Sequence, residues 1–283
     1  MNISKEELLK RLEIAKKIVK DSSVITLEGY SKNPGIKPVQ GAAKEKSSFR
    51  DLVTIYDQKV EEYLLKHLKA AFPNDIFVGE ESSFLDGKKG EYPNDGLIWV
   101  IDPIDGTTNF SRSFAYFCTT ICLIHKSQNT NTLLVAVTYD PVRDELFSAA
   151  KDCGAFLNNE KISVSSVKEL KQSLLVTGFS SQVSTKNEAP FKRFKNLTQK
   201  TLGVRRLGSA ALDLAYVAIG RLDAYWEYEL SAWDVAAGAL LVREAGGQVT
   251  HFERSEEWSP WTGEILASNG ALHNLIKNYV IEA

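Results

Sequence analysis

The sequence predicts a layered sandwich of mixed α+β and α/β character, with helices flanking two sheets. Three observations carry that expectation. Two amphipathic helical stripes open the chain, six short β-type runs separated by turn residues follow, and from residue 173 onward strands and helices alternate. With 283 residues, 43% of them hydrophobic, the chain has enough apolar side chain for a sizeable core. It shows no internal repeat, no low-complexity stretch and no linker. Residues 1–283 therefore read as one domain, with an α+β half over about 1–170 and an α/β half over about 171–283.

Ser4 and Glu7 form a capping box ahead of Leu8, Leu12, Ala15 and Val19, a stripe that predicts an amphipathic helix. Segment 29–49 then holds Pro34, Gly35, Pro38 and Gly41 among several lysines, and reads as a long mobile loop or irregular hairpin, a candidate lid. Thr54 and Asp57 start a second helix with Val60, Leu64, Leu65, Leu68 and Ala71 on its apolar side and Pro73 beyond its end. The runs 76–78, 97–101, 115–124, 133–139, 145–150 and 154–158 predict a mostly antiparallel sheet, with hairpin turns at 126–132 and 158–161. In the second half, strands at 174–178, 204–207, 223–227, 248–252 and 265–267 alternate with helices near 190–200, 209–219, 233–245 and 271–280. Gly246 and Gly247 stop the third of these helices.

Composition narrows the function classes. A net charge of −2 and a pI near 6.2 create no field that favours nucleic acid or an anionic membrane as partner. Neither a secretory leader nor an apolar run long enough for a bilayer is present, so the chain reads as soluble and cytoplasmic, with no membrane role. Cys118, Cys122 and Cys153 are odd in number and lack CxxC spacing, which fits a reducing compartment. His67, His125, His251 and His273 are scattered, with no zinc-ligand spacing, so any metal must be held by carboxylates. Seven Lys or Arg between 186 and 206, Lys192, Arg193 and Lys195 among them, read as a solvated helix face before a nucleic-acid or protein dock.

Candidate chemistry concentrates in WVIDPIDGTTNF, residues 99–110. An acid at a strand end points out of the sheet edge, and Pro103 stiffens the chain after Asp102. Gly106 allows a sharp bend, and Thr107-Thr108-Asn109 start a short helix whose free N–H groups suit a phosphate. Taken singly, Asp102 and Asp105 are ordinary turn or N-cap residues. Other acids recur in similar places: Glu80 after the strand at 76–78, Asp234 and Asp57 in first helical turns. Oxygen ligands without His or Cys suit hard cations such as Mg2+, and two such ions about 4 Å apart serve in-line displacement at phosphorus. That chemistry is phosphate-ester hydrolysis.

Together DLVTIYD (51–57), VGEES (78–82), WVIDPIDGTTNF (99–110), RLGSAALDLA (206–215) and YWEYELSAWDVAAGALLVREAGG (225–247) resemble the inositol monophosphatase family. These are Mg2+-dependent, lithium-sensitive phosphatases of inositol metabolism. The resemblance implies an αβαβα sandwich of the sugar-phosphatase type, two or three Mg2+ ions, a homodimer and hydrolysis of myo-inositol monophosphate to myo-inositol and phosphate. It implies that Glu80, Asp102 and the Ile104 carbonyl hold one ion and Asp102, Asp105 and Asp234 a second, Glu80 helping a third. Thr107, bonded to Asp57, would position and help deprotonate the attacking water, and the Gly106 and Thr107 amides would receive phosphate. Lys46 matches a lysine near the metals; its plain alternative is a solvated loop lysine.

For substrate, Gly208, Ser209 and Ala210 match the inositol-binding segment and Glu227 the carboxylate that accepts ring hydroxyls. On their own residues, Ser209 reads as a helix N-cap and Glu227 as a surface acid. Ser231 stands where animal members often carry histidine, which weakens transfer of their substrate preference. Bisphosphate nucleotidases typically place a lysine where this chain has Leu212, whereas histidinol-phosphate and fructose-1,6-bisphosphate phosphatases share the metal motifs and stay open. Arg205 and Arg206 would meet a second phosphate or form salt bridges. Some bacterial relatives are partners of the RNA machinery, so a binding role without catalysis is the second hypothesis.

Overall fold

The computed structural model of the protein describes residues 3–31, 44–45, 52–85, 95–128, 130–179 and 188–281. Helix α1 (Lys5–Ser31) opens where the Glu7 amide donates to Ser4 Oγ at 3.2 Å. It runs further than the sequence predicts. Ile25 and Tyr30 pack against the buried cluster of Tyr56, Ile104, Phe110 and Phe117, and this aromatic contact carries the helix through Gly29, where a loop was expected to begin. Most of segment 29–49 lies outside the described residues. Within it, strand β1 (Lys44–Glu45) pairs antiparallel with β2 (Leu52–Val53). Helix α2 (Ile55–Ala71) starts at the expected Thr54–Asp57 capping box and buries Val60, Leu64 and Leu68.

Seven strands form the first sheet in chain order: β3 (Ile76–Gly79), β4 (Gly96–Asp105), β5 (Cys118–Ser127), β6 (Thr130–Asp140), β7 (Glu145–Ala150), β8 (Gly154–Leu157) and β9 (Glu160–Lys161). Only β3 and β4 run parallel. Two short helices, α3 (Glu80–Leu85) and α4 (Thr107–Ser111), leave the ends of β3 and β4. The expected turn at 126–132 is narrower, because pairing continues to Ser127 opposite Thr130, whose hydroxyls lie 2.8 Å apart. At the other hairpin Asn158 and Asn159 both take positive φ, 48° and 70°, the conformation a two-residue hairpin turn needs.

The second sheet has the order β11-β10-β12-β14-β13, from β10 (Leu174–Thr177), β11 (Gly203–Arg205), β12 (Ala224–Tyr228), β13 (Gln248–Thr250) and β14 (Glu264–Ser268). The first three strands in that order are parallel; β14 runs against both β12 and β13. Helices α5 (Ala189–Thr198), α6 (Ala210–Ala218), α7 (Ala232–Glu244) and α8 (His273–Ile281) complete the described set.

Side-chain alternation builds the layers. On β4, Trp99 and Ile101 face α1 and α2 with Leu12, Val19, Val60 and Leu64, while Ile98 and Val100 face the opposite way. That inner face meets α6 and α7 through Leu214, Val217, Leu240 and Leu241, and the same helices meet Tyr225, Ile265 and Ala267 of the second sheet. The alternate residues Ala224, Trp226 and Leu266 turn outward to Leu197 of α5 and Ile276 and Val280 of α8. The arrangement is an αβαβα sandwich. Each fully buried Leu, Ile or Val in it contributes about 1.5–3 kcal/mol.

One expectation about charge needs correction. Arg193 of α5 is buried rather than solvated: its Nε donates to the Val280 carbonyl at 2.7 Å, it pairs with Glu253, and it lies over the Phe252 ring. Lys192 and Lys195 remain exposed. No helix among the described residues is long and apolar enough to cross a membrane.

Candidate active site

The site grows from the end of β4. Pairing with β5 shifts register between Asp102, opposite Thr120, and Asp105, opposite Cys118, so two residues of β4 bulge against Thr119. The strand does not stop at residue 101, where the sequence run ended; Pro103 occupies the bulge, and its carbonyl accepts from Thr119 Oγ1 at 2.8 Å. Asp102 and Asp105 are thereby fixed in buried positions, 2% and 9% exposed. Gly106 then takes φ 94°, which L side chains rarely adopt, and a Cβ there would lie 3.0 Å from the Tyr116 carbonyl. This turn starts α4.

Thr107, the first residue of α4, donates its hydroxyl to Asp57 Oδ1 and to the Ile104 carbonyl, each at 3.0 Å. Asp57 is fully buried, and its other oxygen accepts from the Thr54 amide at 2.8 Å, so one carboxylate both caps α2 and holds Thr107. Asn109 Nδ2 donates to the carbonyls of Tyr116 and Leu207, both at 2.8 Å, and so joins this turn to the segment before α6.

Three further elements converge. Ser209 caps α6 and donates to Asp105 Oδ2 at 2.7 Å, and the Ala211 amide reaches the same oxygen at 2.7 Å. The start of α6 thus faces a carboxylate, as its dipole favours. Asp234 stands in the first turn of α7 and accepts from the Ser231 amide at 2.6 Å. Glu80 opens α3, and Glu227 near the end of β12 accepts from Tyr225 Oη at 2.5 Å.

Between them lies a cleft of about 250 Å³. Glu80, Asp105, Gly106, Thr107 and Asp234 line it together with Gly208, Ser209, Ala210 and Glu227. Asp57, Asp102 and Ile104 are buried behind this surface, and Lys46 lies outside the described residues.

Burial dominates the electrostatics. It pushes Asp105 up to about 6 against the stabilising bonds of Ser209 and Ala211, and the charge of Glu80 adds to the rise. Asp234 is raised well above the usual carboxylate range by burial, then by Glu80 and Asp105. Glu227 rises to about 7, again through burial, with Arg206 pulling the other way. Carboxylates gathered where water cannot screen them are stabilised by a cation.

The donor set fits a hard divalent ion: the cleft is lined by carboxylates, with no imidazole among its side chains. Cys118, nearby, is kept a neutral thiol by its burial and by the charge of Asp105. Among the described residues no group of three or more His, Cys, Asp or Glu side chains is arranged as a ready-made metal cage. Asp105 and Asp234 instead turn an oxygen each to helix-capping donors.

The inositol monophosphatase family model matches residues 7–282. The chain belongs to the inositol monophosphatase family. It is 44% identical over 230 residues to an inositol-1-monophosphatase of Synechocystis, covering 81% of this chain and 77% of that one. It is 40% identical over 238 residues to the Nus factor SuhB of Xylella fastidiosa, covering 82% of each. The solved inositol monophosphatase of Anabaena superposes with a TM-score of 0.81 at 36% identity, over 98% of this chain and 97% of that one.

Two positions weighed for substrate preference in this inositol monophosphatase family member have structural readings. Leu212 is fully buried in the shared core and is not among the residues that line the cleft. Ser231 is the residue before α7, and its amide donates to Asp234 Oδ2. Sequence reasoning missed Glu61, Tyr116 and Asp213 and read Asn109 only as part of a helix start. Asp213 is 1% exposed, lines the cleft and accepts from Tyr116 Oη at 2.7 Å. An acid inside the apolar run Ala210–Ala218 was the available signal.

Proposed function

We propose that the protein hydrolyses phosphate monoesters in a Mg2+-dependent reaction, with myo-inositol monophosphate as the leading substrate. One observation supports this most: Glu80, Asp105 and Asp234 share a cleft with the Gly106–Thr107 turn, while Thr107 is bonded to buried Asp57 behind it. Glu80, Asp102, the Ile104 carbonyl, Asp105 and Asp234 would hold the ions. When bound, these supply the positive charge that favours attack on phosphorus and departure of the alcohol.

The chain's own residues supply the rest. By donating to Asp57 and Ile104, the Thr107 hydroxyl leaves its lone pairs to accept from a water, which orients that water's oxygen. Asp57 stabilises the proton drawn toward Thr107. Amides at the start of α4 are donors for phosphate oxygens. Glu227, with its proton affinity raised to about 7, hydrogen-bonds substrate hydroxyls across the cleft. Ser209 acts on the site by fixing Asp105.

In the decisive experiment, Asp102→Asn lowers Mg2+-dependent phosphate release more than about a hundredfold while circular dichroism stays native. Unchanged turnover overturns the ligand assignment. Inositol 1-phosphate, fructose 1,6-bisphosphate, histidinol phosphate and 3′-phosphoadenosine 5′-phosphate, compared under one condition, test the substrate; preference for any of the last three displaces the first. The relatives named Nus factor SuhB favour a second reading, a binding role that survives loss of turnover. Pull-down and RNA-shift assays with the Asp102→Asn protein test it, and no retained partner argues against it.

A further inference from the structure

Glu61 lies on α2 one turn after Asp57, on the same face, and only 3% of it is exposed. Its two oxygens are both spent on the start of α3. Oε2 accepts from the Glu81 amide and Oε1 from the Ser82 amide, each at 2.8 Å. These are first-turn amides, which no carbonyl within the helix can satisfy. The strand before them is fitted to the same carboxylate: a Cβ on Gly79 would stand 2.4 Å from the Glu61 carboxyl carbon. Gly79 also pairs in register with Ile101, immediately before Asp102.

We infer that Glu61 is a positioning residue for Glu80, fastening the first turn of α3 to α2 so that Glu80 keeps its place relative to Thr107 and the β4 acids. The inference rests on the reading of Glu80 as a metal ligand given above. One rigid helix then carries two carboxylates with separate tasks. Asp57 holds the hydroxyl of Thr107, and Glu61 holds the backbone that presents Glu80.

A glutamine in this place offers one acceptor oxygen where two amides need one each. Its NH2 group would face an amide donor. A residue kept only for packing would tolerate that change with a modest loss of stability. A positioning residue would pass the misfit on to Glu80.

The test compares wild type, Glu61→Gln and Glu62→Gln. Glu62 is the exposed neighbour, so its variant removes the same charge without touching α3. Mg2+ binding is followed by calorimetry and by the Mg2+-induced rise in Tm, and KM and kcat are measured at saturating Mg2+. Glu61→Gln is expected to weaken Mg2+ binding about 10- to 100-fold, with KM unchanged within about twofold, while Glu62→Gln behaves as wild type. A Glu61→Gln protein that loses Tm yet binds Mg2+ like wild type overturns the inference and leaves the metal site standing. A wild type that binds no Mg2+ overturns the metal site itself and the inference with it. If Glu61→Gln does not fold, amide exchange of the wild type decides: slow exchange at Glu81 and Ser82 without Mg2+ is expected, and fast exchange there overturns the inference.

Discussion

The Thr107 hydroxyl sits between Asp57 and the Ile104 carbonyl, and this geometry predicts a unit rather than two contributors. Thr107→Ala and Asp57→Asn should each lower kcat about 10²- to 10⁴-fold with little change in KM, and the double variant should lose little more than either alone. Steady-state kinetics on the three variants checks this. Glu227 makes a different prediction. Its pKa rises from 4.5 to about 7 on folding, so the folded state binds the extra proton and the stabilisation is fully present below pH 4.5. It is lost as pH rises through about 7, at a cost of about 3 kcal/mol. Glu227→Gln should therefore raise Tm at pH 8 and flatten the decline of Tm between pH 4.5 and 7, as calorimetry would show.

At the level of elements, the site depends on how a strand, a turn and a short helix follow one another. Asn109 fastens α4 to the segment before α6 through two backbone carbonyls. Asn109→Ala leaves both without that donor, at a cost of about 1–3 kcal/mol, and should raise KM more than it lowers kcat. Denaturant titration and kinetics measure the two effects. These elements also show which information lies in local sequence. The Thr54–Asp57 box and the Ser209 N-cap could be read directly, because capping is decided within four residues. The bulge at Pro103 could not, because whether a proline ends a strand or is absorbed depends on Thr119 of the next strand. Glu61 stayed hidden for the same reason: its partners are twenty residues away on another element, and nothing in its helical neighbourhood marks it.

Across the whole molecule, the periodicities of two and three to four residues foretold the layers, since every buried face must find another to cover it. What they leave open is which helices go between the sheets. The answer lies in α6 and α7, which are apolar nearly all round, with Leu212, Asp213, Leu214 and Ala215 of α6 all buried. Leu214→Ala, in the core common to both sheets, should cost about 2–5 kcal/mol. Variants keeping only Trp99, in the first sheet, or only Trp226, in the second, should report the same urea midpoint, and this midpoint should fall equally for both probes. Two separate midpoints would contradict a shared core. The helices clasped on both flanks are also those whose first turns carry Ser209, Asp213 and Asp234 into the cleft. The cleft therefore has no hinge of its own on that side, and on heating the turnover proposed for it should persist until the entire body melts, rather than fading in a milder step beforehand.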